Sequence, residues 1–133
     1  MRYIAFIHKE PDSCYGVSFP DLPGCISAGD TLDDAVANAG QALSGHVRMM
    51  DMAGDIVPPQ RTIEEIVADK SLDEDREGAI LSAIALVKNR GSSTRINVSL
   101  DLGLLEAIDA EARSRRQTRS AFLASAAMRE LAD

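Results

Sequence analysis

Apolar and polar residues alternate over short stretches in the N-terminal third of the chain, which predicts β-strands. Residues 2–9 carry apolar side chains on both faces, as buried strands do. Residues 14–19 alternate more strictly, and residues 25–28 form a third short apolar segment. Between these segments lie Pro- and Asp-containing stretches that are typical of turns. Three short strands at this spacing predict an antiparallel meander.

A long amphipathic helix is predicted next. Apolar side chains recur at spacings of four and three over residues 32–50, which gives one continuous apolar stripe. Thr31 is suited to cap the start of this helix, and Gly54 to end it. Gly40 and Gly45 each cost a helix about 1 kcal/mol relative to Ala. We therefore expect them to mark a close approach to the sheet.

The remainder of the first domain holds a short helix and an apolar run. Residues 62–69 predict an amphipathic helix, whereas the periodicity of residues 79–87 fits either a strand or a buried helix. We interpret residues 79–87 as a strand because they return from the helix to the sheet. A polar Gly/Ser-containing linker follows, and the composition change there predicts two domains, residues 1–90 and residues 94–133.

The C-terminal segment predicts one strand and two helices. Polar and apolar residues alternate from Thr94 to Leu100, and Thr118 is suited to cap the second helix. About 40 residues of this kind bury too little surface alone, and a lone strand leaves both edges unpaired. We expect two copies to pair their strands antiparallel, with four helices closing over the ribbon. The predicted dimerisation core is Ile96, Val98, Leu100, Ile108 and Phe122.

Charge is unevenly distributed between the two segments. The net charge of −7 argues against a protein whose whole surface is basic and binds nucleic acid. Residues 1–93 carry 8 Lys and Arg against 15 Asp and Glu, whereas residues 94–133 carry 6 Arg against 6 Asp and Glu. Four of those six arginines lie within residues 113–119. An acidic module therefore precedes a neutral one with a local basic cluster, which indicates two different partners.

The polar face of the predicted ribbon is suited to DNA. A two-stranded ribbon fits the major groove, where Arg commonly reads guanine and Asn pairs with adenine. The start of the second helix offers backbone N–H groups to a phosphate. The predicted DNA-binding residues are Arg95, Asn97, Ser99, Thr118, Arg119 and Ser120. The alternative interpretation is that this strand face and the basic turn are only solvated.

Metal, disulfide and membrane chemistry are not expected. Two cysteines, Cys14 and Cys25, do not form a disulfide framework, and His8 and His46 show no ligand spacing with them. We therefore predict no metal and no cofactor. No apolar run approaches the roughly 20 residues of a membrane span, and the first residues lack the features of a signal peptide. These features predict a cytoplasmic protein without a membrane partner.

Two long motifs resemble known families. The segment "TRINVSLDLGLLEAIDAEARSRRQTRSAFLASAAMREL" resembles a ribbon-helix-helix DNA-binding domain, the class that includes Arc and MetJ. The segment "YIAFIHKEPDSCYGVSFPDLPGCISAGDTLDDAVANAGQAL" is similar to the N-terminal domain of HicB antitoxins, and its "FPDLPGC…GDT" part is the most specific. Together the two resemblances cover nearly the whole chain.

The resemblance implies an α+β fold and a regulatory function. The N-terminal domain would be a partial RNase H-like antiparallel sheet with a long helix, followed by a ribbon-helix-helix domain that dimerises. Such an antitoxin binds and neutralises a HicA-type toxin, a small basic mRNA interferase, and represses its own operon by binding operator DNA. The acidic first domain suits a basic partner. The candidate toxin-contacting residues are Glu10, Asp12, Asp21 and Asp30, which are otherwise ordinary solvated loop carboxylates.

An enzyme is not expected, although nucleases share the RNase H-like fold. Such nucleases need several carboxylates that converge on metal ions. Residues 2–9 carry no carboxylate, and Asp33 and Asp34 are adjacent at a helix start, which splays them apart. The alternative function is an orphan ribbon-helix-helix repressor whose first domain senses a ligand or oligomerises. The active assembly would be a homodimer, with a tetramer as the alternative.

Overall fold

The fold is a four-stranded antiparallel sheet with helices on both faces and a helical C-terminal segment. A computed structural model describes residues 1–88 and 90–133. The strand order is β3-β2-β1-β4. The strands are β1 Arg2–Lys9, β2 Tyr15–Ser18, β3 Ile26–Gly29 and β4 Ile80–Ala85. The helices are α1 Leu32–Ala53, α2 Ile63–Ala68, α3 Asp73–Arg76, α4 Leu102–Ser114 and α5 Arg119–Ala132, with a 3-10 turn at Lys70–Leu72.

Strand β1 is paired on both edges and buried on both faces, because it lies inside the sheet and helices pack on each side. It pairs antiparallel with β2 on one side and with β4 on the other. Tyr3 and Ile7 belong to the core that includes α1, whereas Ile4 and Phe6 pack with Ile66 of α2 on the opposite face. The predicted meander and the strand interpretation of residues 79–87 are therefore confirmed.

The ends of α1 follow from local chemistry, as predicted. The Thr31 hydroxyl accepts a hydrogen bond of 3.0 Å from the Asp34 backbone N–H, which satisfies one free donor of the first turn. Gly54 ends the helix with a φ of 77°, a left-handed conformation that favours glycine.

The expectation that two helix glycines mark a close approach to the sheet is wrong. A Cβ at Gly40 would instead contact Met128 of α5 at 3.4 Å, and one at Gly45 would meet open space. The tight position is Gly29 at the end of β3, where a Cβ would overlap the backbone of Ala35. The reason is the short connection between β3 and α1, which brings the strand end directly onto the first turn of the helix.

The C-terminal segment contains the two predicted helices. Asp101 caps α4 by accepting from the Leu104 N–H, and Thr118 caps α5. Residues 94–100 have no strand pairing within the described part of the single chain. The pairing predicted for them needs a second chain, and it stays a prediction. The two predicted domains are in contact, because α5 packs against β4 and Arg2 Nε donates to the Leu131 carbonyl at 3.1 Å.

Two ion pairs of Arg61 connect the loop between β2 and β3 to the layer that contains α2. The Arg61 guanidinium binds Asp21 Oδ1 at 2.7 Å and Asp69 Oδ2 at 2.9 Å. The Asp21 side chain is only 7% exposed, and its Oδ2 is buried without a hydrogen-bond partner among the described residues. Arg61 is therefore the counter-charge of a buried carboxylate.

The same carboxylate affects a neighbouring tyrosine. Burial, together with the charge of Asp21, raises the pKa of Tyr3, whose hydroxyl donates to the Pro58 carbonyl at 2.6 Å.

We expect Arg61→Ala to destabilise the protein, because it leaves the Asp21 carboxylate buried without a counter-charge. The free energy of unfolding, measured by urea denaturation at pH 7, should fall by about 1–3 kcal/mol. Lys88→Ala is the matched control, since Lys88 pairs with Asp51 at 3.4 Å and both side chains are well exposed. That exposed pair should contribute less than about 1 kcal/mol. Equal losses of stability in the two variants would contradict the structural role of Arg61.

Candidate functional site

The segment predicted to read DNA is extended and exposed. Arg95, Asn97 and Ser99 lie in it with their side chains in solvent. The apolar residues between them are also exposed, with Ile96 at 74% and Val98 at 60%. Exposed large apolar side chains continue through Leu100, Leu102 and Leu104. One chain therefore presents both the predicted polar face and the predicted apolar face of this segment to water.

Only some side chains of the predicted dimerisation core are buried within one chain. Ile108 is buried and Phe122 is half-buried where α4 packs against α5. Ile96, Val98 and Leu100 are exposed. The α4–α5 pair thus supplies a partial apolar surface, and no residue of the described part of the chain covers the rest.

The N-terminus of α5 has the geometry of an anion-binding helix start. The Thr118 hydroxyl accepts from the Ala121 N–H at 3.1 Å, and the Thr118 carbonyl accepts from the Phe122 N–H at 3.0 Å. Helix geometry leaves the N–H groups of Arg119 and Ser120 without partners inside the helix. These two donors and the positive end of the helix dipole favour a negatively charged group.

The Arg119 side chain is engaged by a carboxylate that the sequence analysis did not anticipate. Its Nε and Nη2 atoms donate to the two oxygens of Asp109 at 2.8 Å each. Donation from Arg119 lowers the pKa of Asp109, and the same hydrogen bonds raise the pKa of Arg119. This pair links the start of α5 to α4. A phosphate at the helix start would therefore compete with Asp109 for the guanidinium.

A second arginine of the basic cluster is also partnered. Arg115 Nε donates to Glu111 at 2.9 Å, and its guanidinium lies 5.5 Å from the centre of the Phe122 ring. Arg116 occupies the turn between α4 and α5 with a φ of 55°. The predicted cluster is therefore partly neutralised by carboxylates of α4.

The candidate toxin-contacting carboxylates fall into two groups. Glu10 and Asp12 are exposed in the turn between β1 and β2, and Asp30 is exposed between β3 and α1. Asp21 differs from them because its carboxylate is held by Arg61 inside the fold. The structure thus brings three of the four side chains to the surface and places the fourth in a structural ion pair.

The described residues show no metal cluster and no membrane span. No group of three or more His, Cys, Asp and Glu side chains among them could hold a metal ion. Burial raises the pKa of Cys25 to about 11, so this thiol stays protonated at neutral pH. Across the same residues, none of the helices has the length and apolarity needed to cross a membrane.

Comparison with known proteins gives consistent matches over most of the chain. A family described as HicB-like antitoxins of bacterial toxin–antitoxin systems matches residues 3–127. An uncharacterised 14.9 kDa protein of Haemophilus phage HP1 is 34% identical over 109 residues, which cover 82% of this chain and 80% of the phage protein.

Solved structures show the same likeness. The crystal structure of the Burkholderia pseudomallei antitoxin HicB is 38% identical, covers 98% of both chains and has a TM-score of 0.58. A chain in a complex of HicA3 with HicB3 is 32% identical and has a TM-score of 0.54. That match covers 65% of this chain and 99% of the other. The length of the family match and the near-complete structural coverage lead to one conclusion: this chain belongs to the HicB-like antitoxins of bacterial toxin–antitoxin systems.

Proposed function

We propose that the protein neutralises a partner toxin through residues 1–90 and represses transcription by binding operator DNA, as a dimer, through residues 94–133. Membership of an antitoxin family supports the first part. A related chain in a toxin–antitoxin complex of HicA3 with HicB3 supports a toxin as the partner. The first domain carries the whole net charge of −7, which suits a basic partner.

The observation that carries the second part is the exposed apolar segment that runs from residue 96 into the first turn of α4. Five large apolar side chains lie within nine residues, on a backbone that begins without a strand partner in the described part of one chain. These side chains are Ile96, Val98, Leu100, Leu102 and Leu104. A contiguous apolar surface of this kind marks an interaction site, and an unpaired strand edge is rarely left bare. A second copy that pairs its own residues 94–100 would cover both.

The polar side chains of the same segment would then face DNA. Arg95, Asn97 and Ser99 from each chain would form the wet face of a two-stranded ribbon in the major groove. The free N–H groups at the start of α5 would hold a backbone phosphate. Arg119 would contribute to that contact only by sharing or leaving Asp109, so its phosphate contact costs part of an existing ion pair.

We expect Arg95→Ala to weaken binding to the cognate operator by about 1–3 kcal/mol for each base that the arginine reads. Binding to random DNA should change much less, because hydrogen bonds to base edges carry the sequence information. Fluorescence anisotropy at fixed salt measures both affinities. Arg48→Ala, which removes the same charge from an exposed position on α1, is the control and should leave both affinities unchanged. Equal weakening on operator and random DNA would remove Arg95 as a reader of bases.

Truncation after residue 90 tests the division of labour directly. The fragment should fold, since there is a crystal structure of the N-terminal domain of a 34% identical antitoxin. It should then lose operator binding and still bind the toxin. Because α5 packs against β4, thermal unfolding must first establish that the fragment is folded. The full-length variant Arg95→Ala/Asn97→Ala is the companion, which should keep toxin binding and lose operator binding. A folded fragment that does not bind the toxin would contradict the proposal.

A further inference from the structure

The face of the sheet opposite α1 is only half covered. Residues paired across neighbouring strands share a face. Phe6 pairs with Ser18, and Ser18 pairs with Ile26, so these three side chains lie in one row across the sheet. Phe6 packs beneath Ile66 of α2, which identifies the face. The layer formed by α2 and α3 therefore covers β1, whereas the row continues uncovered onto β3, where Ile26 is 71% exposed.

A groove of about 290 Å³ lies along the edge of this covering layer. Phe6 and Ser18 line its floor, Pro23 and Ile26 line one side, and Leu72 and Asp75 line the other. The neighbouring row of the same face is His8, Gly16 and Ala28, in which the middle residue has no side chain. A Cβ at Gly16 would meet no atom within 4 Å. The open sheet face therefore gives a partner close access to the strand backbone.

The wall of the groove that contains Asp75 is the most acidic part of the chain. Residues 63–77 hold seven carboxylates and two cationic side chains, which is a net −5 out of the total of −7. Asp69 is held by Arg61 and Asp73 by Arg76. The Asp75 carboxylate has no ion-pair or hydrogen-bond partner among the described residues. A groove with apolar side chains on both sides and a free carboxylate at its rim is complementary to a long cationic side chain.

We propose that this groove is where the toxin docks, by inserting a lysine- or arginine-bearing segment. The inference rests on the proposed function, because it assigns the place at which toxin binding occurs. Pro23, Ile26 and Leu72 would contact the aliphatic stem of the cationic residue, and Asp75 would bind its charged end. Ile26 and the exposed edge of β3 would extend the contact. The complementary charge also speeds encounter between the acidic chain and a basic partner.

Gly16→Leu tests the open sheet face beside the groove, because Gly16 pairs with His8, which lines the groove. Gly16 does not require a left-handed conformation, its Cβ direction is empty, and Leu is better suited to a strand than Gly. Gly45→Leu is the matched control, since it makes the same change where a Cβ on α1 also meets open space. Calorimetric titration of the full-length proteins with a HicA-type toxin measures the affinity. We expect Gly16→Leu to weaken binding at least tenfold and Gly45→Leu to leave it unchanged.

Asp75→Lys tests the charge and does not depend on the first variant being folded. It should weaken toxin binding and reduce the dependence of the affinity on salt, whereas Asp55→Lys, an exposed position after α1, should have little effect. If wild type binds the toxin and both Gly16→Leu and Asp75→Lys bind equally well, the groove is not the docking site and the proposed function stands. If only Gly16→Leu weakens binding, the toxin docks here without a cationic side chain at Asp75, and that part of the proposal is wrong. If wild type does not bind the toxin, the proposed function itself falls.

Discussion

Unpaired backbone in residues 94–100 is the constraint on which the functional account depends. The four strands β1 to β4 pair with one another in a single sheet, whereas this segment has the alternation of a strand and no strand neighbour among the described residues. Its apolar side chains are exposed along with the backbone. A second copy that supplies the missing strand would pair the backbone and bury the apolar side chains at the same time. Dimerisation and DNA readout are then two consequences of the same pairing, because burying one face of the ribbon leaves the other face in water.

The N-terminal half is stabilised differently, by a hydrophobic core that forms within one chain. Strand β1 is buried between α1 on one face and α2 on the other, and Arg61 ties the β2–β3 loop to the second layer. Contacts also cross the boundary predicted between residues 90 and 94. Arg129 of α5 lies 3.5 Å from Asp33 at the start of α1, and Met128 lies against the position of Gly40. The composition change therefore marks a difference in charge between two segments that are nevertheless in contact.

Local chemistry made the secondary structure predictable. The caps at Thr31 and Thr118 and the left-handed Gly54 depend on residues within one turn of each helix end. Contacts between residues that are distant along the chain could not be predicted from local patterns. The partner of Asp21 is 40 positions away, and the partner of Arg119 is on the preceding helix. The groove exists because the α2–α3 layer covers only part of the sheet. The spacing of apolar residues along the chain does not predict how far that layer extends. A sign of it was nevertheless present in the excess of carboxylates over residues 63–77.

Amide hydrogen exchange of residues 94–100 in the full-length protein, measured at two protein concentrations, tests the central claim most directly. A two-stranded antiparallel ribbon protects every second amide of each strand, and the protection should weaken on dilution because it requires two chains. The account predicts this alternating, concentration-dependent pattern alongside constant protection of the β1 amides. Exchange of all seven amides at the rate of an unstructured peptide at both concentrations, with β1 still protected, would contradict it.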